Sequence, residues 1–312
     1  MTSASRLGRA ATLLAMTGAA LALVSCGGDR AKPKAADKPA YDAEQLIRQA
    51  SGPNAAARSG RIDASVELTL EGNADFAEPF SSSVSGPFQY RKGSALPDYE
   101  LEVGVRDYGV ELSSVDGRSY ISLGESGYPL PPAVRRRLLS ASARGKNGMT
   151  RTLEQFGIAP WRWETDKRAG ATARMDGVRV VRIDTSFNAG RMLNDANTLL
   201  GLLTSLGITR AVGLPSQITR HARRGFVKTV TSKVGASWVG ISDHVIRQSG
   251  FTMKFTVPKA DRKALGGLSG GTIVGKLNVT EVGKRQHINA PQTIAPFAQL
   301  ALAIDALGDA RR

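Results

Sequence analysis

Cysteine, histidine and acidic residues are scarce in this chain of 312 residues. A single Cys excludes a disulfide framework and any zinc or iron–sulfur site built from several cysteines. Three His do not favour a histidine-rich metal enzyme. Asp and Glu number 27 against 42 Lys and Arg, so the net charge is +15 and we expect anionic partners. Apolar residues make up 41% of the chain beside 34 Gly, which is enough for a packed core and excludes a wholly disordered chain.

The N-terminus has the pattern of a signal for export and lipid anchoring. Basic Arg6 and Arg9 precede an apolar run from Ala10 to Leu23, which is short for a membrane span. The run ends in Leu23-Val24-Ser25-Cys26, which resembles the bacterial lipobox, where the Cys is diacylated and becomes the mature N-terminus. Because Cys26 is the only Cys of the chain, we favour this interpretation over an ordinary secretory signal.

These features predict three segments. Residues 1–25 are expected to be a lipoprotein signal peptide. Residues 26–40, a lipidated Cys26 followed by a polar stretch with Pro and no periodicity, are expected to form a flexible tether. Residues 41–312 are expected to be a single domain on the extracytoplasmic face of the cell membrane.

Short stretches of alternating apolar and polar residues predict an antiparallel sheet. In residues 62–70, Ile, Ala, Val and Leu alternate with Asp, Ser, Glu and Thr. Similar patterns predict strands at 84–90, 99–105, 108–112, 118–123, 178–187, 228–234, 237–241, 245–257 and 272–282. Helical spacing predicts helices at 41–50, 131–142, 150–158, 190–206, 215–223 and 296–307, of which 190–206 is the most clearly amphipathic.

Catalytic motifs are weak in this sequence. Residues 267–271 have the letters of a nucleophile elbow around Ser269, but the following residues have the pattern of a strand rather than of the required helix, so we interpret residues 267–271 as a hairpin loop. Residues 270–276 nearly match a phosphate loop, yet Leu277 stands where a magnesium-binding Ser or Thr is needed. His221, His244 and His287 have no catalytic or metal partner at a useful spacing. We therefore expect no enzyme activity, no cofactor and no metal site.

Two basic clusters, Arg135–Arg137 and Arg220–Arg224, are candidates for contact with anionic lipid headgroups or wall polymers. A solvated charged face is the equally supported alternative. Export and anchoring argue against nucleic acid as the partner.

Three short motifs give the body a resemblance to a known family. They are Trp238–Arg247, which is similar to the family's strand–turn–strand, Asp176–Asp184, which is similar to its central strand, and Ile288–Pro291, which is similar to its terminal signature. The chain from about 41 to 305 resembles the LolA-like lipoproteins, especially the LppX/LprG group of actinobacterial envelope lipoproteins. No catalytic residue comes with this resemblance.

The resemblance implies an α+β fold, a curved antiparallel half-barrel with helices over its concave face and an apolar cavity for acyl chains between them. It implies a membrane-anchored protein that binds an acyl lipid or a lipoprotein acyl chain. A solidly packed, lipid-anchored interaction module is the alternative, because an apolar residue can fill a core as well as line a cavity. Our cavity candidates are the apolar residues of the strands and of the leucine-rich helix: Leu68, Leu70, Leu101, Val103, Leu112, Met192, Leu199, Leu200, Leu203, Phe251 and Phe255.

Overall fold

The computed structural model describes residues 41–50, 57–72, 78–91, 97–105, 108–132, 135–136, 162–205, 216–263, 266–300 and 302–303. Strands and helices are numbered below in chain order. The predicted helix at 150–158 and most of the one at 131–142 lie outside these residues, as do Cys26 and the whole of 1–40.

Within the described residues, twelve strands form one open sheet whose order is β12-β6-β5-β4-β3-β2-β1-β11-β10-β9-β8-β7. All neighbouring pairs are antiparallel except the short parallel pair β12–β6. The strands are β1 (Ser59–Glu71), β2 (Phe80–Gln89), β3 (Asp98–Val105), β4 (Tyr108–Val115), β5 (Arg118–Leu123), β6 (Ser126–Pro129), β7 (Glu164–Met175), β8 (Val178–Phe187), β9 (Val230–Gly240), β10 (Ile246–Thr256), β11 (Gly270–Thr280) and β12 (Thr293–Ile294).

Four helices have defined bounds: α1 (Ala43–Ala50), α2 (Ala189–Ser205), α3 (Arg220–Thr229) and α4 (Lys259–Arg262). A helical segment at 298–300 and 302–303 ends the described chain. Within the described residues, no helix is both long and apolar enough to cross a bilayer.

The cross-strand register sorts the apolar residues onto one side of the sheet, which we call the inner face. Leu68 of β1 is opposite Ile273 of β11, which is opposite Met253 of β10. The helices α1 and α2 and the terminal segment all pack on this face. Because strand side chains alternate, the other, outer face carries the polar residues between them. The predicted α+β fold, an antiparallel half-barrel with helices over its concave face, is confirmed as an open, mostly antiparallel sheet with helices on its inner face.

The structure departs from the predicted elements mainly where polar residues form strands. The strand β7 was not predicted, because its sequence ETDKRAGATARM has no apolar alternation. Residues 230–240 form one strand where we predicted two, and α3 begins five residues later than the predicted helix at 215–223. Thr219 caps α3 by accepting a hydrogen bond from the amide of Ala222, which fixes this start.

The centre of the sheet is packed too closely for a side chain at Gly235 of β9. A Cβ there would overlap the ring of Phe187 and the carbonyl oxygen of Gly250. We expect Gly235→Ala to destabilise the protein by about 1–3 kcal/mol, the usual effect of overpacking. Gly201→Ala on the exposed side of α2, where a Cβ meets nothing within 4 Å, is expected to raise stability by about 0.5–1 kcal/mol. Urea unfolding of both variants measures the difference, and equal stabilities would contradict the expectation.

Candidate functional site

The leucine-rich helix α2 sits directly on the inner face. Its Met192, Leu193, Ala196 and Leu200 are buried in one cluster with residues of β1, β2, β8, β10 and β11. The ring of Phe251 packs on that of Phe187 at 5.4 Å between centroids. Among the described side chains, this part of the inner face is therefore a packed core.

The predicted cavity residues divide between this core and the rest of the inner face. Leu68, Met192, Leu200, Phe251 and Phe255 belong to the cluster beneath α2, and Leu70 packs at its margin. Leu101, Val103 and Leu112 lie on β3 and β4, away from α2. The side chains of Leu199 and Leu203 lie outside the described set. A role of these eleven residues in lining a cavity stays a prediction.

A separate group of half-buried apolar residues occupies the inner face of β2, β3 and β4. Val84 is the direct cross-strand partner of Val103, and Val103 is the partner of Val110, so the three valines form one row. Leu101, in the next inner-face row, is the partner of Leu112. We call Val84, Leu101, Val103 and Val110 the apolar trough.

None of these four residues belongs to the packed clusters of the described chain. The cluster beneath α2 ends at Phe80 of β2, and a second one holds Ile62, Ala64, Phe88 and Val279. A third cluster holds Ile121, Tyr128 and Leu300, with Leu112 at its edge. The trough lies between these clusters, and its side chains keep intermediate exposure. The alternating pattern predicts strands that include Val84 and Val110, but neither residue is among the predicted cavity residues.

The third cluster is built by a chain segment that crosses the outer face and passes around the sheet edge. The amide of Gln286 donates to Oε1 of Gln89 at 2.8 Å, and the amide of Asn289 donates to Oε2 of Glu100 at 3.1 Å. The strand β12 then pairs with β6, and Leu300 enters the inner face. The far border of the trough therefore depends on this C-terminal segment.

Acidic residues lie behind the trough on the outer face. Glu102 is the cross-strand partner of Glu111, and Glu100 lies on the same face. Burial and the neighbouring charges of Glu100 and Glu102 raise the pKa of Glu111, against a hydrogen bond from Ser122 that lowers it. The two faces of these strands therefore differ sharply in polarity.

A buried polar group interrupts the inner face between α1 and α2. Glu164 of β7 is only 6% exposed. The hydroxyl of Ser237 donates to its Oε1 at 3.4 Å, and the hydroxyls of Ser237 and Ser249 contact each other. Burial raises the pKa of Glu164 from 4.5 to about 7, although the nearby Lys167 and Ser237 lower it in part. Glu164 is not predicted from the sequence, since nothing in the pattern of β7 marks it as buried.

A cleft of about 490 Å³ lies elsewhere, between the end of β2 and the crossing segment. Arg91, Asp98, Arg285 and His287 line it, and Arg91 pairs with Asp98. This cleft is polar, so it does not correspond to the predicted acyl cavity.

The residues of the weak catalytic motifs lie apart from one another. Ser269 is followed by the strand β11 rather than by a helix, so the geometry of a nucleophile elbow is not formed. His221 lies in α3, His244 in the turn before β10 at a φ of 54°, and His287 in the crossing segment. Within the described chain, no three His, Cys, Asp or Glu residues are placed to hold a metal ion.

The structure describes most of the two predicted basic clusters. Arg135 and Arg136 are exposed, and Arg137 lies outside the described residues. Arg220, His221 and Arg224 are exposed on α3, and Arg223 is half-buried there.

Comparison with known proteins finds similarity among solved structures only. No protein-family model and no curated protein matches this chain. LprF from Mycobacterium bovis is 11% identical with a TM-score of 0.39, and the match covers 82% of this chain and 99% of LprF. Lipoprotein LppX from Mycobacterium tuberculosis is 12% identical with a TM-score of 0.36, covering 79% of this chain and 97% of LppX. A LolA superfamily protein from Nitrosomonas europaea is 10% identical with a TM-score of 0.20, covering 80% and 96%. The solved structures to which this chain is similar thus include members of the group that its sequence motifs resemble.

Proposed function

We propose that this protein is a non-enzymatic, membrane-anchored lipoprotein that binds acyl chains of a lipid or lipoprotein and carries them within the cell envelope. The signal of residues 1–25 and the acylated Cys26 place the single domain of 41–312 on the extracytoplasmic face of the membrane. The tether of 26–40 joins the domain to its anchor. No cofactor takes part.

The observation that supports acyl binding is the apolar trough. An apolar surface left half-exposed between packed clusters is a usual sign of a binding site. The three valines of its row, which are cross-strand partners, present only methyl groups. These groups suit an alkyl chain and offer no hydrogen bond to a polar ligand. Burial of about ten methylenes contributes on the order of 8 kcal/mol before the entropy cost of binding.

The proposal shifts the site away from the helix α2. Residues beneath α2 are packed against one another, so an acyl chain there would have to displace side chains of the core. The trough requires no such displacement among the described residues. Leu101 and Val103 are therefore the predicted cavity residues with the strongest support, together with Val84 and Val110.

A Trp placed in the trough tests the proposal. Val84→Trp fills the row of valines, so we expect it to reduce binding of a fluorescent fatty acid at least tenfold. Ser83→Trp adds the same ring one residue earlier on the same strand, where the side chain is exposed on the outer face, and should leave binding unchanged. Fluorescence titration measures both, with the melting temperature as the check on folding.

Two outcomes would oppose acyl binding in the trough. Uptake of no fatty acid by the natural protein, together with no acyl lipid in its extracts by mass spectrometry, would favour the solidly packed interaction module. Equal loss of binding in Val84→Trp and Ser83→Trp would show that the site lies elsewhere.

A further inference from the structure

The helix α3 carries an unusual concentration of positive charge. Its ten residues RHARRGFVKT contain four Lys or Arg and no acid. Arg220 and Arg224 are four residues apart, as are Arg224 and Lys228, so like charges face each other along one ridge. Two Arg also lie in the first turn, where the helix dipole disfavours cations. The helix therefore contains several unfavourable charge interactions of its own.

Packing does not compensate for these interactions. Within the described chain, no residue of α3 is buried. The helix is attached through Phe226, whose ring contacts that of Phe255 at 5.1 Å between centroids, and through its direct continuation into β9. A polar helix without oppositely charged i,i+4 pairs lacks the interactions that stabilise such helices, so α3 would gain stability from an anionic partner.

More cations surround the same end of the sheet. Lys254 lies on β10 opposite Ser232 of β9. The short helix α4, which carries Lys259 and Arg262, begins two residues after the buried Val257. Residues 216–234 and 252–263 together hold nine Lys or Arg and one acid, Asp261, so these 31 residues carry a net charge of +8. Among the described residues, none of the nine cations forms an ion pair.

Apolar side chains lie within this basic surface. Val227 is 41% exposed on α3, seven residues after Arg220 and hence on the same side of the helix as Arg220 and Arg224. Val234 is 46% exposed on the outer face of β9, opposite Thr252 and on the same face as Lys254. Cations around exposed apolar residues are typical of a surface that binds a membrane. The cations contact anionic lipid headgroups, and the apolar side chains enter the boundary between headgroups and acyl chains.

We propose that this surface, made by α3 and α4 around the end of the sheet, with Lys233 on the inner face and Lys254 on the outer face, docks the domain on an anionic bilayer. The charge of +8 complements the headgroups, Val227 contacts the interface, and the anionic surface relieves the repulsion along α3. This proposal rests on the lipid anchor of the proposed function but not on acyl binding in the trough.

The position of the tether permits this orientation. Tyr41 directly follows the tether, and its hydroxyl accepts a hydrogen bond from Arg179 at 3.4 Å. The tether therefore joins the domain near the start of β8, whereas α3 lies beyond the other end of β8. The ten residues of β8 span about 33 Å. A chain of residues 26–40 reaches up to about 50 Å when extended, so an anchor at Cys26 and docking through α3 are compatible.

A single dye reports which end of the domain meets the membrane. Acylation leaves the natural protein without a free Cys, so Val227→Cys can be labelled alone. Ser242→Cys, in the exposed turn between β9 and β10, is the control at the opposite end. The acylated full chain is reconstituted in vesicles of phosphatidylcholine, with or without phosphatidylglycerol, that contain a nitroxide-labelled lipid as quencher.

We expect quenching of the dye at 227 in phosphatidylglycerol vesicles only, its loss at high salt, and none at 242. The triple variant Arg220→Glu/Arg224→Glu/Lys228→Glu should lower the ratio of docked to undocked protein by at least on the order of a hundredfold, about fivefold for each cation lost, before the repulsion of the added carboxylates. Arg168→Glu/Arg174→Glu/Lys276→Glu makes the same charge change at exposed positions away from α3, and should change the ratio less than about threefold.

Several results would overturn the docking surface. They are equal quenching at 227 in neutral and anionic vesicles, quenching at 242 instead, or equal effects of the two triple variants. A dye at 227 that stays unquenched on anionic vesicles would assign the basic surface to an acidic protein or polymer instead. Since Val84→Trp leaves α3 untouched, it should dock normally even if the acyl-binding proposal fails.

Discussion

Replacing Glu164 by Gln is expected to stabilise the protein at pH 8 and to leave its stability nearly unchanged at pH 4. The carboxyl is buried and accepts a hydrogen bond from Ser237 at 3.4 Å, and burial raises its pKa from 4.5 to about 7. Between these two values the unfolded chain releases the proton while the folded chain still holds it. The free energy of unfolding therefore falls as the pH rises through this window.

The size of the effect follows from the same two values. At about 1.4 kcal/mol for each pH unit, the rise from 4.5 to about 7 corresponds to about 3 kcal/mol. Stability from the protonated carboxyl is fully present below about pH 4.5 and is lost by about pH 7. A Gln side chain has nearly the same shape and does not titrate, so the variant keeps this stability at pH 8.

Urea unfolding at intervals from pH 4 to pH 8 measures the difference between the two proteins. Glu67→Gln on the exposed outer face of β1 is the matched control, because it removes a carboxyl without relieving any burial. The nearby charged residues, Lys167 and its partner Glu44 at 3.2 Å, are the same in the natural protein and in Glu164→Gln. Parallel pH curves for the natural protein and Glu164→Gln would contradict the assignment.

The fold was predictable where the burial of one face of a strand makes apolar residues recur at every second position of the sequence. The strand β8 begins and ends at the predicted residues, because its alternate positions Val181, Ile183 and Phe187 are all buried. The strand β7 was not predictable in this way. It is the edge strand of the sheet and is held by backbone hydrogen bonds to β8, which do not require an apolar alternation in its mostly polar and small side chains.

Two of the four trough residues, Leu101 and Val103, are among the cavity candidates predicted from the sequence, whereas Val84, Val110 and the position of the trough are not predicted. Alternation identifies which side chains lie on the inner face, and Leu101, Val103, Phe251 and Phe255 were all assigned to it. Whether a helix covers them depends on where α2 crosses the sheet, which is a tertiary contact without a local signal. The buried Glu164 is missed for a related reason, because its environment is formed by Ser237 and Ser249, more than seventy residues away in the chain.

Loss of the Asp243 carboxylate is expected to cost the most stability of any single change considered for this protein. Asp243 lies in the turn between β9 and β10 and binds Arg247 through two hydrogen bonds of 3.0 and 2.5 Å. The Arg247 side chain is 4% exposed. Without its partner, the guanidinium would be a buried, uncompensated charge, so we expect Asp243→Ala to destabilise the protein by about 3–5 kcal/mol.

The carboxylate also orders the turn itself. It accepts a hydrogen bond from the amide of Val245 at 3.2 Å, next to His244, whose φ of 54° is held by this loop. Partial burial raises the pKa of Asp243, but the hydrogen bonds from Arg247 and Val245 and the charge of Arg247 outweigh it and lower the pKa below 3.8. A lowered pKa means that this stability is present above about pH 4 and is lost as the pH falls through the folded-state value.

Two comparisons separate the buried charge from a general effect of the turn. Asp184→Ala breaks the exposed pair of Arg182 and Asp184 and should cost less than about 1 kcal/mol, because such pairs are screened by water. Asp243→Ala/Arg247→Met removes both charges and should recover most of the loss, since an apolar side chain tolerates the site that an unpaired guanidinium does not. Urea unfolding at pH 7 measures all three variants. A double variant as unstable as Asp243→Ala would locate the effect in the turn hydrogen bonds rather than in the buried charge of Arg247.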